Sequence, residues 1–185
     1  MRFLVAVIAL LFPLFSSATQ LTDYVHLWVG SSNFGTTNPG AVCPNGMMSV
    51  SPFNVTGSEK NKWDKDSRWW STPYTSDNCW FTGFSHVNLS GVGCPELGTI
   101  LTMPTSGELL TDYKLYGSEY TSETATPGYY ALKLSKYDIL AEVAATMRTS
   151  IERYTFRKGK AHIIVNLGQG LTNESGGFIQ KISDT

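Results

Sequence analysis

GYYALKLSKYDILAEVAATMRTSIERYTFRKGKAHIIVNL, residues 128–167, is the stretch that decides the fold class of this chain. It contains four runs of strand length that are rich in β-branched and aromatic side chains, and short polar turns separate them. The four runs are Tyr129–Leu134, Asp138–Arg148, Ser150–Phe156 and Ala161–Leu167. Runs of this length and spacing predict an antiparallel meander within an all-β sandwich or barrel.

The run Asp138–Arg148 needs a separate argument, because its alanine and leucine content also suits a helix by intrinsic propensity. Its apolar residues recur at every second position, which is the period of a strand and not the 3.6-residue period of a helix. The alternating positions are Ile139, Ala141, Val143, Ala145 and Met147. The alternation therefore predicts a strand with one buried face.

The composition limits the class of protein. Of 185 residues, 42% are hydrophobic and 12% are aromatic, and the formal net charge is -1. Disordered chains have few aromatic residues and a high net charge, so this chain is expected to fold. Its 14 Lys and Arg against 15 Asp and Glu leave no basic excess for nucleic-acid phosphates. We interpret the chain as one all-β domain, an antiparallel β-sandwich, that does not bind nucleic acid.

The first 18 residues have the features of a secretory signal peptide. An apolar run, Phe3–Phe15, follows a basic residue, and the small residues Ser16 and Ala18 precede a cleavage site at Thr19. A retained membrane anchor is the alternative, but this run is short for about 30 Å of hydrocarbon. We therefore expect a secreted or periplasmic mature protein, residues 19–185, with no membrane segment after cleavage.

Export also affects the interpretation of the cysteines and sequons. Cys43, Cys79 and Cys94 are an odd set in an oxidising compartment, so either one disulfide forms and leaves a thiol over, or none forms. Their spacing matches no zinc motif, and we predict no metal site among them. Three N-glycosylation sequons matter only in a eukaryotic secretory pathway, and they begin at Asn54, Asn88 and Asn173.

Generic catalytic and cofactor motifs are mostly missing. Gly83–Val87 lacks the closing glycine of a nucleophile elbow, and Gly91–Glu96 has a glutamate in place of the third glycine of a dinucleotide loop. Asp64–Asp66 begins like a calcium loop, but Arg68 and Trp69 follow where a carboxylate and a turn glycine belong. These three segments therefore predict neither catalysis nor metal binding.

The segment Gly83–Gly98 places polar hydrogen-bonding groups among glycines. Several aromatic residues precede it, namely Trp69, Trp70, Tyr74, Trp80 and Phe81. Neutral polar groups beside aromatic faces are typical of a sugar-binding cleft, since a sugar presents hydroxyls at its edge and C–H groups on its face. The alternative is a buried turn network, in which His86 binds backbone carbonyls and the tryptophans belong to the core.

Two idiosyncratic strings in this chain resemble glycoside hydrolase family 92. They are the NPGA-containing stretch Ser32–Met47 and the GFSH-containing stretch Gly83–Gly98, and Pro127–Tyr130 and Arg153–Phe156 follow in the family's order and approximate spacing. The resemblance is to the family's N-terminal domain and covers nearly all of the mature chain. Asn38, which stands where an aromatic is more usual, is a departure that weakens the assignment to a subfamily more than to the family.

The resemblance implies a β-sandwich that packs on a C-terminal (α/α)6 helical barrel in a secreted, calcium-dependent, inverting exo-α-mannosidase. In that family the general acid, the general base and most calcium ligands lie in the barrel. We therefore expect no catalytic residue and no metal ligand within this chain, and mannose-containing glycans and the helical barrel domain as its partners. The last residues, Phe178–Thr185, begin what looks like a further strand, so we also expect a domain that is incomplete at its C-terminus.

The resemblance also implies positions for the substrate-binding residues. Phe34 and Gly35 would line the terminal mannose subsite, where a residue without Cβ lets the backbone approach a sugar. His86, Ser90 and Cys94 would lie on a loop that faces or supports that subsite. Each has a structural alternative, because Phe34 would also suit the core, His86 would suit a supporting position, and Cys94 would suit packing.

Two function classes follow from this sequence. The first is an N-terminal, cleft-lining portion of an exo-α-mannosidase on mannose-terminated glycans, which is inactive without the helical catalytic domain. The alternative is a free-standing carbohydrate-binding β-sandwich module without catalysis. A third interpretation is a structural remnant without a ligand. The coding sequence after Thr185 distinguishes the first two classes.

Overall fold

Two five-stranded antiparallel sheets form the fold in the computed structural model, which describes residues 20–33, 35–61, 72–89, 97–171 and 176–183. The first sheet contains β1 (Ala41–Val42), β2 (Ser49–Phe53), β4 (Gly83–Asn88), β5 (Leu97–Ser106) and β10 (Ala161–Asn166). The second sheet contains β3 (Trp80–Phe81), β6 (Ser118–Thr126), β7 (Tyr129–Leu134), β8 (Ile139–Ala145) and β9 (Ser150–Thr155).

The strand order is β1-β2-β4-β5-β10 in the first sheet and β3-β6-β7-β8-β9 in the second. A short helix, α1 (Tyr113–Tyr116), connects the two sheets between β5 and β6. The Asp112 carboxylate caps this helix by accepting a hydrogen bond from the Lys114 amide at 2.9 Å. This arrangement confirms the prediction of an all-β antiparallel sandwich.

The core lies between the two sheets and is built from alternating side chains. In β8 the residues Ile139, Ala141, Val143 and Ala145 are buried, whereas the residues between them are partly exposed. This confirms the strand prediction for the run with mixed propensity. Aromatic rings connect the sheets, since the centroids of Phe84 and Tyr130 lie 6.2 Å apart in an edge-to-face arrangement.

The predicted meander is correct for three of the four runs and wrong for the fourth. Strands β7, β8 and β9 pair consecutively, but β10 crosses to the first sheet and pairs with β5, where Ile164 lies opposite Met103. The turn before β10 contacts the end of β5, because the Gly107 amide donates to the Lys160 carbonyl at 2.9 Å. Ile164 also packs on the main core. Strand-length runs and polar turns do not specify which sheet edge a strand joins.

The end of the chain also differs from the sequence prediction. Leu171 packs with Phe53, Val55 and Leu101 in a second, smaller hydrophobic cluster. Residues 176–183 contain no strand, so the further strand expected there is not formed. Among the described residues β10 is therefore one edge of the first sheet, opposite β1, and its Ile163 and Val165 are exposed by 58% and 42%.

Some sequence predictions fall outside the described residues. They include the signal peptide of residues 1–18, which stays a prediction, and the segments 64–66 and 91–96 that partly matched generic motifs. Within the described ranges, no helix is long and apolar enough to cross a bilayer.

The structure also locates two cysteines and two sequons. Cys43 and Cys79 are free thiols, and the Cys43 thiol donates to the Ala145 carbonyl at 3.2 Å. Asn54 is fully buried, and its Nδ2 donates to Thr75, Asn78 and Tyr120 at 2.8, 2.5 and 2.8 Å. A glycan on this nitrogen is incompatible with the fold. The half-buried Asn88 donates to the Ser85 carbonyl at 3.0 Å, whereas Asn173 and Cys94 lie outside the described residues.

Candidate functional site

The polar segment found in the sequence forms the β4–β5 hairpin, and its connecting residues 90–96 lie outside the described ranges. Hydrogen bonds fix the base of this hairpin. The Ser85 hydroxyl donates to the Asn88 side-chain oxygen at 2.8 Å, and the Asn88 amide donates to the Ser49 hydroxyl at 2.7 Å. Polar side chains in β4 therefore hold the strand end from which the predicted sugar-facing loop begins.

His86 connects the hairpin to the opposite sheet. Its Nδ1 lies 2.6 Å from the carbonyl of Ile100 on β5, so Nδ1–H donates there. Its Nε2 lies 2.5 Å from Oε1 of Glu152 on β9, and the His86 and Glu152 side chains are 14% and 15% exposed. The second carboxylate oxygen, Oε2, accepts from the Thr102 hydroxyl at 2.8 Å and from the Tyr154 hydroxyl. One carboxylate thus joins three side chains across the sandwich.

The electrostatics of this cluster favour an imidazolium–carboxylate pair. Burial alone lowers the pKa of His86, but its hydrogen bonds to Glu152 and Ile100 and the Glu152 charge leave that pKa above its usual value. Burial raises the pKa of Glu152, but hydrogen bonds from His86 and Tyr154 and the His86 charge leave that pKa below its usual value. The cluster consequently ties β4 in the first sheet to β9 in the second.

The backbone around His86 is strained. Val87 and Ile100 are β-branched residues with φ of 55°, and Leu97 has φ of 63°. The β4–β5 register also shifts between Phe84 and His86. Left-handed conformations of branched residues are costly and persist only where surrounding contacts enforce them, and such positions cluster at functional sites. The His86 hydrogen bond to the Ile100 carbonyl is one of these enforcing contacts.

Gly35 lies in a tight turn that is bonded to a different part of the molecule. Its amide donates to the Ser32 carbonyl at 2.9 Å, and the Asn33 amide donates to the Asp77 carboxylate at 2.8 Å. A Cβ on Gly35 would lie 1.8 Å from the carbonyl oxygen of Gly30. The requirement for glycine therefore arises from the turn's own backbone. Phe34 lies outside the described residues.

The structure does not bring Gly35 and His86 into contact within the described ranges. The turn that contains Gly35 is hydrogen-bonded to residues 76–77. The neighbouring Thr75 is hydrogen-bonded to Asn54, the residue that follows the end of β2. The hairpin loop begins after Asn88, which contacts Ser49 at the start of β2. A five-residue strand is about 14 Å from end to end. The two parts of the predicted subsite thus lie toward opposite ends of the first sheet.

Comparison with known proteins now decides the family. The profile of the glycosyl hydrolase family 92 N-terminal domain matches residues 24–185. This chain belongs to glycosyl hydrolase family 92. A family 92 α-mannosidase from Bacteroides thetaiotaomicron is 32% identical in sequence, superimposes with a TM-score of 0.70, and is matched over 83% of this chain and 21% of its own. The same mannosidase in complex with mannoimidazole matches equally, over 83% of this chain and 20% of its own, with a TM-score of 0.70 and 32% identity.

A relative among curated proteins is an uncharacterized secreted glycosidase from Arthroderma benhamiae. It is 29% identical over 150 residues, which are 75% of this chain and 18% of that protein. The family 92 chain thus spans about a fifth of the length of the relatives that it matches, since the shares are 18% and 21%.

This family 92 domain contains a second carboxylate cluster that sequence reasoning missed. Glu123 Oε1 accepts hydrogen bonds from the hydroxyls of Tyr74 and Tyr130 at 3.0 and 2.5 Å. Burial, followed by the Glu123 charge, raises the pKa of both tyrosines, so both remain hydrogen-bond donors at neutral pH. The register of β6 shifts between Thr121 and Thr124, and Ser122 between them has φ of 57°. A bulge of this kind changes the direction in which a side chain points, and no feature of the sequence predicted this bulge.

Glu152 was also absent from the predicted site. The only sequence signal for it is its period-two spacing with Tyr154 in β9, which places both side chains on one face of the strand. A neighbouring carboxylate, Glu142, is bound at the surface by Arg153 at 2.6 and 2.7 Å and by the Tyr129 hydroxyl at 2.9 Å. Glu123, Glu142 and Glu152 are therefore all engaged by donors of the domain itself.

The calcium expected from the family finds no ligand set among the described residues of this domain. In those ranges no group of three or more His, Cys, Asp or Glu side chains could hold a metal ion. Both carboxylate oxygens of Glu152 already form hydrogen bonds, with His86, Thr102 and Tyr154. A hard cation such as calcium would need these same oxygens as ligands. The prediction that the calcium ligands lie outside this chain stays a prediction.

Proposed function

We propose that this chain is the N-terminal, cleft-lining part of a secreted, inverting exo-α-mannosidase that acts on mannose-terminated glycans. The observation that carries the proposal is the match of residues 24–185 to the family 92 N-terminal domain. Its superposition on an α-mannosidase that has been captured with mannoimidazole supports mannose as the sugar. The curated relative that is called secreted supports export, together with the predicted signal peptide.

In this proposal the domain positions loops and does not supply the reacting groups. Inverting glycosidases use two carboxyl groups about 6.5–9.5 Å apart, one as acid and one as base that activates water. Glu123, Glu142 and Glu152 are bound by tyrosines, an arginine and a histidine within the domain. Because these three carboxylates are already bound within the domain, their hydrogen bonds support a general acid and a general base that lie outside this chain. Calcium, when bound in the whole enzyme, would contribute charge stabilisation at the sugar.

The hairpin residues then have distinct roles. His86 is a positioning residue, because it ties the base of the β4–β5 loop to Glu152 on the opposite sheet. Ser90 and Cys94 lie in the loop that faces or supports the terminal mannose subsite. Phe34 and Gly35 would line the cleft toward the other end of the first sheet, where the tight turn around Gly35 holds the backbone in place.

The test compares the full-length protein with residues 19–185 alone on an α-linked mannobiose, with calcium and with a chelator. We expect mannose release with inverted configuration from the full-length protein, which NMR of the fresh product detects, and no release from residues 19–185. Turnover by residues 19–185 that Glu96→Gln abolishes would contradict this division of roles. Mannose binding by a full-length protein that never turns over mannobiosides would instead identify the carbohydrate-binding module.

A further inference from the structure

An open groove of about 490 Å³ lies where α1, the 58–60 segment and the β7–β8 turn meet. Its volume is within the range of small-molecule sites, about 300–1,000 Å³. The half-buried Trp80 indole and the side chains of Lys60, Lys114 and Lys136 line it. Gly35 and His86, the two predicted subsite residues that the structure describes, are not among the lining residues.

The groove is remote from the β4–β5 loop. Trp80 lies three residues before β4 begins, whereas the loop follows the end of β4 at Asn88. The six residues of β4 separate these ends by about 17 Å. A ligand in this groove is therefore distinct from a sugar held by the loop.

The Trp80 ring is fixed in place before any ligand arrives. A Cβ on Gly117 would lie 2.5 Å from two carbon atoms of the indole, so only glycine lets the ring pack this closely. Trp80 also pairs with Glu119 in the short β3–β6 ladder. An immobilised aromatic surface loses little entropy when it binds the apolar face of a sugar.

Three lysines and two carboxylates line the groove around the ring, namely Lys60, Lys114 and Lys136 with Glu59 and Glu119. The Lys136 ammonium donates to the Leu115 carbonyl at 2.5 Å, which leaves two of its N–H groups available. Both lysines line the groove, and burial followed by the charge of Lys60 lowers the pKa of Lys136, so the two ammonium groups repel each other. Within the described ranges, none of Lys60, Lys114 and Lys136 forms a salt bridge. An anion between them would relieve this repulsion.

We propose that this groove is an accessory glycan site for a sugar unit that carries an anionic group, either a phosphate or a carboxylate. Trp80 would contact the C–H face of the sugar, and the three lysines would bind its anion. Ser58, Ser135 and Glu119, which also line the groove, would bind neutral hydroxyls. The proposal goes beyond the function proposed above, because it adds a second, charge-selective contact with the glycan.

Calorimetry on the full-length protein tests the proposal with four probes: mannose 6-phosphate, glucuronic acid, mannose and inorganic phosphate. The variant Lys60→Glu/Lys114→Glu is compared with Lys158→Glu, which reverses one exposed charge in the turn before β10. We expect the double variant to weaken binding of an anionic sugar about tenfold or more, and Lys158→Glu to leave it unchanged. A second variant, Trp80→Leu, should reduce the affinity for the anionic sugar to that for inorganic phosphate.

The two anionic sugars distinguish a phosphate from a carboxylate as the recognised group. Equal affinity of the wild type for mannose and for both anionic sugars would overturn the charge selectivity. Equal affinity for inorganic phosphate would overturn the assignment to a sugar. The kcat/KM of Lys60→Glu/Lys114→Glu on mannobiose should stay unchanged, so failure of the groove is distinguishable from failure of the mannosidase proposal.

Discussion

Replacing Glu152 by glutamine should change both the stability of the domain and the sign of its pH dependence. The carboxylate accepts from His86, Thr102 and Tyr154, and the His86 and Glu152 side chains are only 14% and 15% exposed. Breaking a fully buried pair costs about 3–5 kcal/mol. The residual exposure and the amide's remaining hydrogen bonds reduce that loss, and we expect about 2 kcal/mol at pH 6.

The pH dependence follows from the direction of each pKa shift. In the wild type the His86 pKa is raised, so its stabilisation is complete below the unfolded value near 6.5 and disappears as pH rises through the folded value. The Glu152 pKa is lowered, so its stabilisation is present above the unfolded value near 4.5 and disappears as pH falls through the folded value. The pair therefore stabilises the domain most between about pH 4.5 and 6.5.

Glu152→Gln removes the carboxylate that raises the His86 pKa and leaves burial, the largest effect, which lowers this pKa against the smaller opposing effect of the Ile100 carbonyl. The unfolded state then binds more protons than the folded state below pH 6.5, so the stability of the variant should increase as pH rises toward 6.5, whereas the His86 contribution in the wild type decreases as pH rises above 6.5. Urea unfolding of residues 19–185, followed by tryptophan fluorescence from pH 5 to 8, measures both effects. With a urea slope of about 2 kcal/mol per molar, the midpoint should fall by about 1 M at pH 6.

Glu142→Gln is the matched control, because Glu142 is on the adjacent strand and its side chain is as little exposed as that of Glu152, at 11% against 15%, whereas its partner Arg153 is 75% exposed. Exposed pairs contribute little, so this variant should show a small loss and no reversal of slope between pH 6 and 7.5. If Glu152→Gln and Glu142→Gln behave alike, His86 and Glu152 are not coupled in the folded protein, and the positioning role of His86 fails with them.

Three further predictions concern other parts of the domain. Gly35→Ala should lower both the melting temperature and kcat/KM of the full-length enzyme, because the added Cβ would lie 1.8 Å from the Gly30 carbonyl; unchanged melting and activity would show that the turn adapts. Asn54→Ala should destabilise the domain by about 2–4 kcal/mol in urea unfolding, since the Thr75 carbonyl and the Tyr120 hydroxyl lose this donor and the Thr75 amide loses its acceptor. Mass spectrometry of the wild-type protein secreted from a eukaryotic host should find no glycan at this sequon. Residues 19–185 should self-associate in sedimentation through the β10 edge, and Ile163→Lys should reduce this association; a monomeric wild type contradicts the prediction.

The strand content of the second half was readable from the sequence for a local reason. Side chains alternate across a pleated strand, so a buried face leaves a period of two that outweighs helical propensity, as in Ile139–Ala145. The polar hairpin was readable for a different reason, since its string of glycines and polar residues is rare and resembles one family. Both signals lie within a few consecutive residues, and neither depends on where the rest of the chain goes.

The site itself could be predicted only in part. Of the five predicted substrate-binding residues, Gly35 and His86 are described, and the turn of the first is bonded to residues 76–77, whereas the second faces β9. Glu152 lies 66 positions away from His86, and its only sequence signal, the period-two spacing with Tyr154, does not point to His86. Partners this far apart in sequence are selected by the packing of the two sheets.

The sequence by itself therefore determined the class of fold, the family and the position of the polar hairpin. The tertiary structure alone decided that β10 joins β5, that Glu152 meets His86, and that three lysines converge around Trp80. The physical reason is that periodicity is imposed by the backbone of each strand separately. Pairing, burial and charge proximity are instead imposed by contacts between strands that come together only when both sheets form.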